Sequence, residues 1–217
     1  MRPSNPREAT HVSTDPDFER WNGRFAATGD YVFGTEPNAF LVAQRHRLKP
    51  GMRALALADG EGRNGVWLAR QGLHVLSVDF SPAGLEKAQR LAARYGVAIE
   101  TECADLRHWH WEPERFDVVV AILIQFTKPP LQGEIFRGMK AALRHGGLVI
   151  LQGYRPEQLR YGTGGPPSAE NMYTEALLRA AFADFRILHL AAHDDMATER
   201  RSHEGPSALI DMVAEKP

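Results

Sequence analysis

The stretch "ALALADGEGRNGVWLARQG", residues 54–72, decides the fold. Its first residues, with Arg53, form the apolar run "RALAL", which reads as a buried strand. A glycine-and-acid turn follows, and "NGVWLARQG" then reads as a short helix closed by Gly72. A strand that passes through such a turn directly into a helix is the opening of a βαβ unit. Gly60 and Gly62 let the backbone approach a ligand with no Cβ in the way. The helix start behind them offers unpaired N–H groups to an anionic group.

The alternation continues toward the C-terminus. "HVLSVDF" is a second β-branched apolar run. In "SPAGLEKAQRLAARYG", Ser81 serves as N-cap, Pro82 takes the first helical position and Gly96 ends the helix. "AIETEC" and "FDVVVAIL" are the third and fourth strands, "LQGEIFRGMKAALRHGG" is a helix with a glycine stop, and "LVILQG" is the fifth strand. A long Gly/Pro loop from Tyr154 to Ser168 precedes a last helix, "NMYTEALLRAAF". Two strands, "FRILHLAAH" and "ALIDMVAEK", end the chain without a helix between them, which predicts an antiparallel pair at one sheet edge. The expected architecture is α/β, a Rossmann-like doubly wound sheet.

At 217 residues, with 43% hydrophobic and 24% charged residues, the chain suits one domain with a sizeable core. Residues 1–16 read as a flexible tail, 17–50 as an aromatic helix and loop cap, and 51–217 as the Rossmann-like core. The net charge of −1 gives no electrostatic reason to expect nucleic acid or an anionic membrane as partner. No apolar run approaches the ~20 residues that span a bilayer, and the N-terminus lacks the apolar centre of a signal peptide. The single cysteine, Cys103, excludes an internal disulfide and reads as buried in the third strand. The setting this implies is cytoplasmic.

Ligands of such sheets bind at the carboxyl ends of the strands. Asp79 ends the second strand, nineteen positions beyond Gly60, where an acid can accept both hydroxyls of a ribose. Asp105, after the third strand, can accept from an exocyclic amine such as that of adenine. Together with the glycine turn these acids describe a pocket for an adenosine-bearing ligand. "GEGRNG" literally fits the dinucleotide pattern G-x-G-x-x-G, so an NAD(P)-dependent oxidoreductase is an alternative. Against it, the apolar end of the fourth strand and the closing strand pair leave no second nucleotide-binding half.

From about Trp21 to the C-terminus the sequence resembles the class I S-adenosylmethionine-dependent methyltransferases. It is most similar to the small-molecule group that includes the tellurite-resistance and thiopurine methyltransferases. The resemblance rests on "YVFGTEPNAFL", "DGEGRNGVWLARQG", "VDFSP", "ADL", "FDVVVAILIQF", "LRHGGLVILQGY" and "EGPSALIDMVAEK". It implies a seven-stranded, mostly parallel sheet with the last strand antiparallel, and S-adenosyl-L-methionine as cofactor. It places the glycine turn at the methionine part, Asp79 on the ribose and Asp105-Leu106 at the adenine. The cofactor-binding set it implies is Phe33, Asp59, Gly60, Glu61, Gly62, Asn64, Asp79, Phe80, Ser81, Asp105, Leu106, Ala121 and Ile122. One departure stands out: the acid and first glycine of the family's opening motif fall on Ala56 and Ala58. Asp59 and Glu61 are the acids available instead, and Asp59 is expected to take over part of the missing role. A binding module that kept the cofactor and lost efficient chemistry is therefore a second alternative.

The acceptor side is less legible. Gln125, at the end of the fourth strand, and His203 are the candidate catalytic residues. Tyr154, Arg155, Arg160, Tyr161 and Arg200 are the candidates for binding a small-molecule acceptor, and arginines there suit an anion. A thiolate or a heavy-chalcogen oxyanion needs no general base, whereas a hydroxyl or amine needs one within hydrogen-bond reach. His108 and His110 alternate along "HWHW" but lack acid or cysteine partners at ligand spacing, so no metal site is expected.

Overall fold

The computed structural model describes residues 16–196 and 205–217. Arg200 and His203 lie outside the described residues, as does all of the expected tail but Pro16, which opens the first helix. Seven strands form one sheet: β1 Arg53–Leu57, β2 His74–Asp79, β3 Glu100–Cys103, β4 Phe116–Ile122, β5 Leu143–Tyr154, β6 Arg186–Met196 and β7 Pro206–Glu215. Their order is β3-β2-β1-β4-β5-β7-β6. The first five run parallel, whereas β7 is antiparallel to both β5 and β6. A dinucleotide fold repeats its βαβ unit to give strand order 3-2-1-4-5-6. Here the antiparallel β7 takes the sixth place, so among the described residues the parallel βαβ repeat is not continued there.

Alternation along each strand supplies both faces of the sheet. Leu55 and Leu57 join Leu76, Val78 and Val119 on one face, under Phe136 and Met139 of α5 (Leu131–Ala142) and Leu178 of α7 (Glu175–Ala181). Ala54 and Ala56 face the other way, with Val118 and Val120, toward three helices: α2 (Ala39–Ala43), α3 (Arg63–Arg70) and α4 (Pro82–Arg94). Ala56 is packed in the same cluster as Val66, Trp67 and Leu68, so the position of the missing family acid lies inside an apolar layer. Each fully buried Leu, Ile or Phe side chain contributes roughly 1.5–3 kcal/mol.

The helix signals are realised locally. Ser81 caps α4, its Oγ accepting the Gly84 N–H at 3.1 Å, and Pro82 opens the helix. Thr174 caps α7 in the same way through Leu177. One boundary differs from expectation: α5 stops at Ala142, and "LRHGG" already belongs to β5. The backbone of Gly146 and Gly147 pairs with Lys216, and Arg144 binds Asp117 at 3.1 Å. Pairing with the chain's last residues outcompetes another helical turn. Cys103 is exposed rather than buried, because β3 is a short edge strand. No helix among the described residues is long and apolar enough to cross a membrane. Among the same residues no three His, Cys, Asp or Glu are grouped to hold a metal ion.

Candidate functional site

The β1–α3 turn is built around close approaches. Gly62 precedes α3 with φ +83, and a Cβ there would lie 2.5 Å from the Ala88 Cβ and 2.8 Å from its Cα. Gly65, the last glycine of "GEGRNG", leaves room for a carboxylate: a Cβ would sit 2.4 Å from Asp59 Oδ2. This glycine thus answers to Asp59 and needs no pyrophosphate to explain it. Ala58, where the family carries its first glycine, retains a left-handed φ of 44°.

Asp59 ties the turn together. Its carboxylate accepts the Gly65 N–H at 3.1 Å and the Ser77 hydroxyl at 2.7 Å, linking the turn to α3 and β2. Burial pushes its pKa up to about 7 against the pull of those two hydrogen bonds. Asp59 therefore orders the turn, holding it to both α3 and β2.

Asp79 closes β2 with its carboxylate against backbone amides. Oδ2 accepts the Gly60 N–H at 2.8 Å, and Oδ1 accepts the Ser81 N–H at 2.8 Å. Burial raises its pKa to about 6, opposed by the same amides. Each oxygen keeps a further lone pair, enough for the two hydroxyls of a ribose. Asp105 is paired with Arg107, whose Nε donates to it at 2.7 and 2.8 Å. Burial acts to raise the Asp105 pKa, but the Arg107 hydrogen bonds and charge outweigh it and hold it below the usual value. An exocyclic amine at Asp105 has to share its oxygens with Arg107.

Several expected ligand residues serve the scaffold. Glu61 forms a buried ion pair with Lys87 at 2.8 Å and accepts the N–H groups of Val32 and Phe33. It anchors the N-terminal segment and has little left for a cofactor. Ser81 spends its hydroxyl on capping α4 and on Asn22. Leu106 and Ala121 are buried in the core, and Ile122 lies in the opposite apolar layer. Asn64 Oδ1 accepts the Asn38 N–H at 3.0 Å.

Helix α1 (Pro16–Ala26) covers the turn. The Phe25 ring lies 3.1 Å from where a Gly60 Cβ would stand, and Phe18 meets Phe80 edge-on at 5.9 Å. Phe33 packs with Trp21 and Phe25, and the Arg24 guanidinium sits 5.0 Å above its ring. Phe18 and Phe25 fall in the aromatic cap expected over residues 17–50, whereas Asn22, which accepts from Ser81 and Ala83, carried no signal in the sequence. Lys87 did carry a signal: it falls on the helix face of Gly84 and Leu91, where a lysine needs a buried partner.

On the acceptor side, Gln125 is not a free orienter. Its Nε2 donates to the Tyr154 carbonyl at 2.8 Å and to the Asn171 carbonyl, while its Oε1 accepts the Tyr154 N–H. Tyr154 itself is buried with Met172 and Leu209. Arg155 is paired with Asp194 and Glu157, and Tyr161 donates to Asp194 at 2.8 Å. Arg155 and Tyr161 thus converge on one aspartate, while Arg160 is exposed. Of the arginines expected for an anion, Arg155 is neutralised.

The donor set fits an adenosine joined to an amino acid, with Asp79 free to take hydroxyls, Cβ-free Gly60 and Gly62, and the first turn of α3 beside them. Strand order, inserted antiparallel β7 and this turn together define a Rossmann-like methyltransferase fold. Residues 54–147 match the family described as methyltransferase domain. Over that stretch the chain is similar to methyltransferase domains, and the likeness implies S-adenosylmethionine as cofactor. TehB from Haemophilus influenzae superposes with a TM-score of 0.68 at 16% identity, covering 92% of this chain and 67% of that one. Phosphoethanolamine N-methyltransferase 1 of Arabidopsis thaliana is 30% identical over 142 residues, 63% of this chain and 27% of that protein. An uncharacterized protein of Mycobacterium tuberculosis is 28% identical over 101 residues, 45% of this chain. The chain spans 37% of that relative's length.

Proposed function

We propose that this protein transfers a methyl group to a small-molecule acceptor that is already a soft nucleophile, a thiolate or a chalcogen oxyanion. When bound, S-adenosylmethionine supplies a methyl on a sulfonium that departs as a neutral thioether. The chain's own contribution is alignment and exclusion of water, which can recover roughly 7–11 kcal/mol of a barrier. Asp79 holds the ribose hydroxyls, Gly60 and Gly62 admit the methionine part, and Asp105 with Leu106 borders the adenine. Residues 17–50, led by Phe25 and Phe33, cap this side.

The observation that carries the acceptor class is the exit of β4. Residues 122–126 read Ile-Leu-Ile-Gln-Phe, and the amide of Gln125 is spent on backbone groups. No side chain in that segment can take a proton at neutral pH, so the reaction suits an acceptor that arrives ionised. The likeness to TehB supports this reading. The Arabidopsis relative, an N-methyltransferase by name, favours a second one in which the acceptor is an amine. The single cysteine supports a cytoplasmic setting. Incubation of the chain with S-adenosylmethionine and matched thiol, selenol, tellurite and amine panels decides between them. Product from amines alone overturns the soft-nucleophile reading. Cofactor binding with no product from any panel points to a binding module.

A further inference from the structure

A chain of polar side chains crosses the core from the edge strand to the glycine turn. His193 Nε2 and Asp211 Oδ2 are 2.8 Å apart. Asp211 Oδ1 accepts from Gln152 Nε2 at 2.7 Å, and Gln152 Oε1 accepts from Asn38 Nδ2 at 2.7 Å. The Asn38 N–H donates to Asn64 Oδ1 at 3.0 Å, while its own Oδ1 caps α2 through Leu41. Asn38, Asn64, Gln152 and Asp211 are 2%, 7%, 4% and 7% exposed. Register places the chain on one face: Gln152 is opposite both Ile122 and Asp211, and Asp211 is opposite Ala191, two residues before His193.

The direction of this chain is set at one end. An ionised Asp211 only accepts, so it turns the Gln152 Nε2 toward itself and leaves Oε1 for Asn38. Asn38 then presents its Nδ2 to Gln152, which frees its Oδ1 for the α2 cap and holds its backbone N–H against Asn64. Asn64, in the first turn of α3, is fixed with Oδ1 engaged and Nδ2 left as its donor. Each amide orientation follows from the one before it. Buried polar groups are costly unless every member is satisfied, so a break at any link is felt along the chain.

We propose that Asp211, Gln152 and Asn38 are positioning residues for the methionine end of the cofactor, acting through Asn64 and the first turn of α3. The proposal rests on the S-adenosylmethionine reading of the site. Its specific content is that a side chain on β7, two strands away from β4, controls one end of the cofactor and leaves the adenosine end alone.

The test separates the two ends by ligand. Calorimetry of the full chain measures S-adenosylmethionine, S-adenosylhomocysteine and methylthioadenosine, the last of which keeps the adenosine and lacks the amino acid. Asp211→Leu is expected to weaken the first two at least tenfold and to leave methylthioadenosine within twofold of wild type. Asp211→Asn can still accept from Gln152 and donate to the other tautomer of His193, so it is expected to restore near-native binding of all three. Should Asp211→Leu fail to fold, Gln152→Glu keeps the shape and removes the donor to Asp211, with the same split expected. Unchanged binding, or an equal loss for all three ligands, overturns the proposal. Failure of the native chain to bind any of them overturns the cofactor reading and the proposal together.

Discussion

Glu61 and Lys87 form an ion pair at 2.8 Å with both side chains 3% exposed, joining the glycine turn to the middle of α4. The Lys87 ammonium also donates to the Asp30 carbonyl at 2.6 Å, and the Tyr31 hydroxyl donates to the Lys87 carbonyl at 3.1 Å. The segment that leads from α1 into the fold is therefore pinned to a buried charge.

Removing one partner leaves the other charge buried and uncompensated, at a cost of about 3–5 kcal/mol. Lys87→Met is expected to lower stability by that order in urea denaturation. The double variant Glu61→Gln, Lys87→Met is expected to regain part of the loss, because no lone charge remains. A double variant less stable than Lys87→Met alone would refute this account of the pair.

Asp59 and Asp79 make stability depend on pH in an unusual direction. Their pKa values in the folded protein, about 7 and about 6, lie above the ordinary aspartate value of 3.8. The folded state then holds protons that the unfolded chain has lost, so stability falls as pH rises from about 4 to about 7 and levels off above. Denaturation midpoints at pH 5 and pH 8 are expected to show the protein more stable at the lower pH. Asp59→Asn should flatten that slope; an unchanged slope would assign the effect to other groups.

Ala58 holds a left-handed φ of 44°. A Cβ in that region costs roughly 1–2 kcal/mol per residue, partly offset by the greater freedom that glycine has in the unfolded chain. Ala58→Gly is expected to stabilise the protein by about 0.5–1 kcal/mol, read as a rise in melting temperature. A fall would show that the alanine methyl contributes packing that outweighs the strain.

Cys103 is exposed and stands opposite Asp79 in the β2–β3 ladder. Partial desolvation of its thiol and the nearby Asp79 carboxylate push its pKa up, so alkylation at pH 7 should be slow for an exposed cysteine. S-adenosylhomocysteine is expected to slow it further by covering the Asp79 end of the site. With one cysteine in the chain, mass spectrometry reads the labelling without ambiguity. Labelling at the same rate with and without ligand would place the ribose elsewhere.

The βα rhythm was legible because each element carries its own local cause. Ser81 and Pro82 start α4 by capping chemistry, the alternation of Ala54, Leu55, Ala56 and Leu57 serves a sheet with two covered faces, and Gly62 answers a turn no other residue enters without a clash. The antiparallel pairing of β6 and β7 was legible too, since two apolar runs without a helix between them have no crossover to make them parallel, whereas the insertion of β7 beside β5 was what the resemblance implied. The residues expected at the ligand turn gather around it in the structure, where Glu61 and Ser81 are taken up by partners within the chain.

Those roles depend on distance in space and not on position in sequence. Glu61 reads as a ligand acid until Lys87 and the Val32 and Phe33 amides meet it, and Gln125 reads as an orienter until the Tyr154 backbone occupies it. The relay from His193 to Asn64 joins side chains from β6, β7, β5, the α2 cap and α3, which no spacing rule connects. The sequence by itself determined the order of elements and the class of ligand, because propensity, capping and alternation act between near neighbours. Only the tertiary structure decided which polar atoms remain for that ligand, because hydrogen bonds in a buried site are shared among groups that the chain brings together from far apart.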